Sequence, residues 1–213
     1  FIYVEPNTAK IKSSSYNQNN GIIAVNRNFG IKKAKGEYIA FCDDDDLWCR
    51  NKLKKQMGVI EKGFDFVFTN IYWPQKNHQW ILWMREKLTK IIYNVLPGKF
   101  SYIFLHFINW IPNSSVLLSR ESLGSNKFSE NKRYRASEDY ELWLRILRYS
   151  KAHFIEEGLV RYRLHDDNIS SNKSDNLKRC ALIFKERKVK GGFFKTLNKA
   201  GYFWYRFRYL LKK

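Results

Sequence analysis

The sequence predicts an α/β domain. Three observations carry the prediction: helical and extended patterns alternate from residue 21 to residue 73, a strand-like run EYIAFC ends directly in four aspartates, and a strong helical pattern opens on acids after Ser137. The chain has 213 residues, enough for one core without disulfide or metal staples. Hydrophobic residues at 44% and aromatics at 17% exclude a disordered chain, although Lys+Arg 39 against Asp+Glu 20 leaves a net charge of +19.

The elements follow in order. FIYV at the start reads as a short strand stopped by Pro6, and a Ser/Asn-rich connection follows at 8–20. Ile23, Ala24, Arg27, Ile31 and Ala34 recur at helical spacing, with Gly36 as the stop. EYIAFC at 37–42 has the composition of a buried strand and meets Asp43, Asp44, Asp45 and Asp46. Leu47, Leu53, Met57 and Ile60 predict a second helix, and FDFVFTNIYW at 64–73 a second strand. WILWMREKLTKIIYNVL predicts a helix broken by Pro97 and Gly98; PNSSVLLS reads as a loop entering a strand. SEDYELWLRILRYS predicts a helix with Ser137 as N-cap, and HFIEEGLVRYRLH a strand, a turn and a strand. The expected division is a catalytic-type domain over 1–172 and a basic amphipathic tail over 173–213. In the tail, Lys and Arg interleave with Phe203, Trp204, Phe207 and Tyr209, a pattern suited to an anionic membrane surface.

Cys42, Cys49 and Cys180 form no C-x-x-C pair, so neither a disulfide framework nor a zinc ribbon is indicated, and a reducing compartment fits. The longest apolar stretch, at 102–112, is too short to cross a bilayer. The chain starts at Phe1 without a signal pattern, and the expectation is that a front segment is missing.

Four adjacent aspartates at a strand end repel one another unless solvent, helix-start N–H groups or a cation offsets the charge. Ligands of open α/β sheets gather outside the carboxyl ends of strands, and carboxylates there are the oxygen ligands that Mg²⁺ or Mn²⁺ takes together with substrate phosphates. Asp139 on a helix start is either a dipole-favoured acid or a general base, with Glu138 and Glu141 as competitors at this spacing. Taken alone, His165 reads more often as a polar surface or core histidine than as a ligand, and Arg27 as either a phosphate grip or a surface charge.

In combination these segments resemble a known family. The run NNGIIAVNRNFGIKKAKGEYIAFCDDDDLW, then NKLKKQ, IPNSSVLLSRESL, SEDYELWLRI and LVRYRLHDDNIS is similar, in order and spacing, to family 2 glycosyltransferases of the GT-A fold, over about residues 19–170. The resemblance implies a Rossmann-like GT-A mixed sheet flanked by helices. It also implies inverting, metal-dependent transfer of a sugar from a nucleotide-diphosphate sugar to an acceptor hydroxyl. On that basis Asp43, Asp45 and His165 are expected to hold Mn²⁺ or Mg²⁺, and Asp139 to be the catalytic base. Arg27, Asn28, Asp44 and Asp46 are expected near the donor, and Glu138, Ser114, Ser115 and Trp143 at the acceptor or in support. The implied setting is bacterial surface polysaccharide, lipopolysaccharide or capsule synthesis. The acceptor would be a glycan or lipid-linked, and the enzyme peripheral on the cytoplasmic face of the cell membrane.

Two departures matter. The family's opening V-I-I-P-T-Y-N and V-D-D-G-S-T-D segments are absent, so FIYVEPN aligns with the strand that follows them, and activity of this chain alone is in question. The Q-x-x-R-W signature of processive members is also absent, which favours addition of one or a few sugars. The rival readings are a basic nucleic-acid-binding module and a noncatalytic membrane-surface adaptor. The acid cluster speaks against nucleic acid, which Asp43 to Asp46 would repel.

Overall fold

The computed structural model of the chain describes residues 22–72, 79–96, 98–161 and 173–212. The strand expected at 1–4, the connection at 8–20 and His165 with its surrounding loop lie outside the described residues.

Helix α1 (Ile22–Lys33) ends in Lys32 and Lys33, cations that suit the carbonyl end of a helix. It leads to β1 (Tyr38–Ala40), β2 (Leu47–Trp48), α2 (Lys52–Ile60) and β3 (Phe66–Tyr72). Helix α3 (Gln79–Lys90) continues into a π turn at Ile91–Val95, followed by α4 (Gly98–Leu105), β4 (Leu117–Ser119) and α5 (Arg120–Leu123). The described chain closes with α6 (Glu138–Ile146), β5 (Ala152–Arg161), α7 (Lys173–Glu186) and α8 (Gly192–Leu210).

The five strands among the described residues form one mixed sheet in the order β1-β4-β3-β5-β2. β3 and β5 are parallel; the other pairs are antiparallel. Phe66, Val67, Phe68 and Thr69 of β3 are all buried, which marks a central strand covered on both faces. Trp143 of α6 is fully buried against it, with ring centroids 5.1 Å from Phe66, 5.9 Å from Phe41 and 6.2 Å from Phe128. The ring cluster therefore ties α6 to β1 and β3, and it sets where the N-terminus of α6 meets the end of β1.

Three local expectations change. The helix expected from Leu47 starts at Lys52, because Leu47 and Trp48 pair with Arg161 and Val160 of β5 and the Trp48 indole N–H donates to the Ser114 carbonyl at 2.8 Å. Residues 153–161 are not a strand and a turn but part of one strand with a bulge: Thr69 faces Ile155, whereas Asn70 faces Gly158. The extra residues, Glu156 and Glu157, reach Lys87 and Lys90 of α3 and Lys55 of α2. A Cβ at Gly158 would stand 3.2 Å from the Tyr72 nitrogen, so a larger residue there would press on the backbone of β3. Finally, the Ser137 hydroxyl does not cap α6; it contacts Asn176 of α7 at 3.1 Å.

A buried polar bridge fixes the other side of the sheet. Gln56 of α2, fully buried, donates to the Val67 carbonyl at 2.9 Å and to the Ser115 carbonyl at 2.8 Å. Its amide oxygen accepts from the Lys52 ammonium at 2.8 Å, which also lies 4.1 Å from the Trp48 ring centre. Burial pushes Lys52 down to about 7. One glutamine thus joins a helix, the central strand and the turn at Asn113–Ser115 that supports the acid loop.

Helices α7 and α8 pack as an antiparallel pair across α4 and α6. Phe184 stacks on Tyr205 at 5.7 Å, the Tyr205 and Tyr140 hydroxyls meet at 3.1 Å, and the Trp204 indole N–H donates to the Phe107 carbonyl at 2.7 Å. Gly201 permits this approach, since a Cβ there would stand 3.0 Å from the His106 carbonyl oxygen.

Replacing Gln56 with Leu keeps the volume but strips donors from two buried carbonyls. We expect a loss of about 2–4 kcal/mol in urea unfolding. A loss below about 0.5 kcal/mol would show that the bridge does not hold the sheet to α2.

Candidate active site

The acid loop leaves β1 where Phe41 is anchored in the core and the Asp43 backbone N–H donates to Ser114 Oγ at 2.9 Å. The Asp46 N–H closes the turn on the Asp43 carbonyl at 3.1 Å. Asp44 is exposed, Asp43 and Asp45 are half-buried, and Asp46 is buried. The four acids therefore do not share one environment.

Arg27 of α1 joins this loop to the start of α6. One guanidinium nitrogen donates to Asp43 Oδ1 at 2.6 Å and another to Glu138 Oε1 at 2.9 Å. The fork spans two carboxylates that are 95 residues apart in sequence. Burial alone would lower the proton affinity of Arg27, but Asp43, Glu138 and Asp139 hold it above its ordinary value. Asp43 Oδ1 also accepts from Asn113 Nδ2 at 2.8 Å.

The three acids of α6 have different partners. Glu138 is buried between Arg27 and the Ser137 N–H, which donates to its Oε2 at 3.1 Å, while the helix-start N–H of Tyr140, which a capping Ser137 hydroxyl could have accepted, goes to Asp139. Glu141 points elsewhere, held by Arg145 through two contacts of 2.8 Å beside a polar cavity of about 710 Å³. Among the described residues Asp139 forms no ion pair within salt-bridge distance; its Oδ1 accepts the Tyr140 N–H at 2.7 Å. Burial and the neighbouring Glu138 charge, partly offset by Arg27, push Asp139 up to about 7. The distinction among these acids that spacing leaves open thus has a physical basis. Just upstream, Ala136 holds φ 59, a left-handed backbone uncommon for a non-glycine residue.

The remaining expected residues support the site from beneath or beside it. Asn28 Nδ2 donates to the Phe128 carbonyl at 2.9 Å and to Glu130 at 2.8 Å, while Asn28 Oδ1 accepts the Phe128 N–H at 2.8 Å. Its side chain is committed to the 128–130 segment, where Phe128 also lies 5.2 Å under Arg27. Ser114 orients Asp43, Ser115 Oγ donates to the Pro112 carbonyl at 2.7 Å, and Trp143 is sealed in the core. All three are buried and present no surface to an acceptor. Sequence reasoning missed Asn113 and Gln56, although both stand in quoted segments, IPNSS and NKLKKQ.

Among the described residues no three His, Cys, Asp or Glu side chains converge as a metal-holding group, and His165 lies outside them. The donor chemistry of the loop nonetheless fits a hard cation. Mg²⁺ commonly takes one or two carboxylates and completes its shell with substrate phosphates and water, and Asp43 with Asp45 offers that set at a strand end.

Residues 10–109 match the family model described as "Glycosyl transferase family 2". The Escherichia coli protein named UDP-Glc:alpha-D-GlcNAc-diphosphoundecaprenol beta-1,3-glucosyltransferase WfgD is 35% identical over 155 residues, 72% of this chain and 56% of that protein. The Bacillus subtilis (strain 168) glycosyltransferase TuaG, whose name refers to teichuronic acid biosynthesis, is 30% identical over 173 residues, 80% of this chain and 64% of TuaG. The chain thus spans 56% and 64% of the lengths of these two relatives. Among solved structures, residues 1–349 of S. aureus TarS superpose with a TM-score of 0.57 over 87% of this chain and 51% of that one, at 14% identity. That likeness gives the fold, the GT-A type of mixed sheet flanked by helices. Over residues 10–109, and across both relatives, the chain is thus similar to the family 2 glycosyltransferases.

Proposed function

We propose that the chain is the catalytic part of an inverting, metal-dependent glycosyltransferase that moves a sugar from a nucleoside-diphosphate sugar to an acceptor hydroxyl. The observation that carries this reading is Asp139. It is a carboxylate with proton affinity raised to about 7, at the rim where the acid loop and the start of α6 meet. The acceptor O–H proton passes to Asp139, and the acceptor oxygen bonds to the anomeric carbon. The bond from that carbon to the diphosphate breaks, and the diphosphate leaves with the electron pair. A single displacement from the opposite face inverts the anomeric centre.

Mn²⁺ or Mg²⁺, when bound, would neutralise charge on the leaving diphosphate, with Asp43 and Asp45 as its residues and His165 as an added candidate. Asp44 and Asp46 flank that position. Arg27 acts in this reading as a clamp: it binds Asp43 and Glu138 and so sets the distance between the donor-side loop and the base. The relatives' names support an acceptor in cell-surface polysaccharide synthesis, and the name of WfgD includes a lipid-linked diphosphate acceptor. We extend that class, a glycan carried on a lipid diphosphate, to this chain.

Asp139→Asn preserves shape but accepts no proton; transfer should fall by roughly 10² or more while donor affinity is kept. Retained transfer in this variant, with loss in Glu138→Gln, would move the base to Glu138. The same variant has a stability signature. Because the folded proton affinity of Asp139 is raised, the native state holds a proton between about pH 4 and 7 that the unfolded chain has released, so stability falls as pH rises through that window. Asp139→Asn should therefore melt higher than the parent at pH 8, by roughly 2 °C or more, and about equally at pH 4.

The acid limb of kcat should lie near pH 7, with transfer decreasing below it. Glu138→Gln removes a charge that raises Asp139, so its limb should move to lower pH; an unmoved limb would separate the titrating group from Asp139.

Metal dependence is tested by chelation. Excess EDTA should abolish transfer, Mn²⁺ or Mg²⁺ should restore it, and Asp45→Ala should stay inactive after metal is returned. Full turnover in chelator would contradict the assignment of the loop.

A further inference from the structure

Helix α8 has two faces with different fates. Leu197, Asn198, Gly201 and Tyr205 are buried against the domain. On the opposite side, Phe203, Phe207 and Leu210 recur at i, i+4 and i+7 and are 64%, 55% and 57% exposed. Lys195, Lys199 and Arg206, all exposed, run along one edge of that stripe, and Lys212 lies just past its end. Of the other residues expected from sequence to form this face, Tyr209 is half-buried, and Trp204 is exposed with its indole N–H held by the Phe107 carbonyl. The stripe of Phe203, Phe207 and Leu210 is made of side chains with no polar atom.

Charge decides what such a stripe fits. From Arg187 to the end the sequence holds nine Lys and Arg residues and no Asp or Glu. A second copy of the chain would bring the same cations against these, whereas an anionic bilayer offers opposite charge and an apolar layer just beneath it. No helix among the described residues is long and apolar enough to cross a membrane. A helix with one face packed on its own domain and an apolar stripe edged by cations on the other lies along a surface.

We propose that the outer face of α8 docks the domain on an anionic lipid surface, with Phe203, Phe207 and Leu210 in the interfacial layer and Lys195, Lys199, Arg206 and Lys212 at the headgroups. The rigid mount matters. Tyr205 meets Tyr140, the residue after Asp139, so α8 presents the candidate base at a constant height above the surface to which it docks. This inference does not require the transfer reaction, and its test reads binding alone.

The test is co-sedimentation of the 213-residue chain with phosphatidylcholine vesicles with or without about 30% phosphatidylglycerol. Binding should need the anionic lipid and weaken as salt rises. Phe203→Ser with Phe207→Ser should weaken it tenfold or more, and so should Lys195→Gln with Lys199→Gln and Arg206→Gln. The same loss of charge at the exposed Lys54, Lys62 and Lys132 should have little effect. Circular dichroism and melting temperature confirm that each variant folds; all the changed α8 side chains face solvent. Equal binding to neutral vesicles, equal weakening by the control triple variant, or unchanged binding of the Phe203/Phe207 variant would each overturn the proposal. So would a dimer broken by that variant, or retention on duplex DNA without vesicle binding.

Discussion

Arg27 is the constraint around which the site is arranged. A buried guanidinium must find anions, and its planar fork finds two, Asp43 at the end of β1 and Glu138 at the start of α6. A buried ion pair adds little net stability against an apolar replacement, yet removing one member leaves an uncompensated charge. The value of this bridge therefore lies in specificity of position. It ties the acid loop to one register with respect to α6, and it leaves Asp139 beside the Glu138 charge, which Arg27 offsets in part.

The rest of the fold makes that position affordable in structural terms only because several segments converge. Asn28, one residue after Arg27, holds the 128–130 segment through three hydrogen bonds. Ser114 and Asn113 grip Asp43 from the turn before β4, and Gln56 holds the next residue of that turn to the central strand. Trp143, from the same helix as Asp139, fills the space between β1 and β3. A positive φ at Ala136 is tolerated just before the acids because the flanking packing over-determines the chain there.

Much of this was legible in the sequence, for identifiable reasons. The buried strands, the acid loop and α6 carry strong periodicity or abrupt polarity changes, and those survive in the fold. The short strand at Leu47–Trp48 was not legible, because two residues have no period and their pairing is with β5, far along the chain. The bulge at Glu156 and Glu157 looked like a turn because two acids and a glycine interrupt an apolar run; only the lysines of α2 and α3 explain why they sit in a strand. The same limit applies to the site. Its residue types and order pointed to the chemistry, whereas the separate fates of Glu138, Asp139 and Glu141 depend on Arg27 and Arg145, which approach from different directions.

The central claim is that Asp139 is a carboxyl held at high proton affinity by burial and by Glu138 while Arg27 serves the two carboxylates beside it. Carbon-13 NMR of aspartate carboxyls, with Asp139 assigned through the Asp139→Asn variant, measures this without reference to turnover. The account predicts a carboxyl that titrates near pH 7 in the folded chain. Titration of Asp139 in the ordinary carboxylate range, near 4, would contradict it.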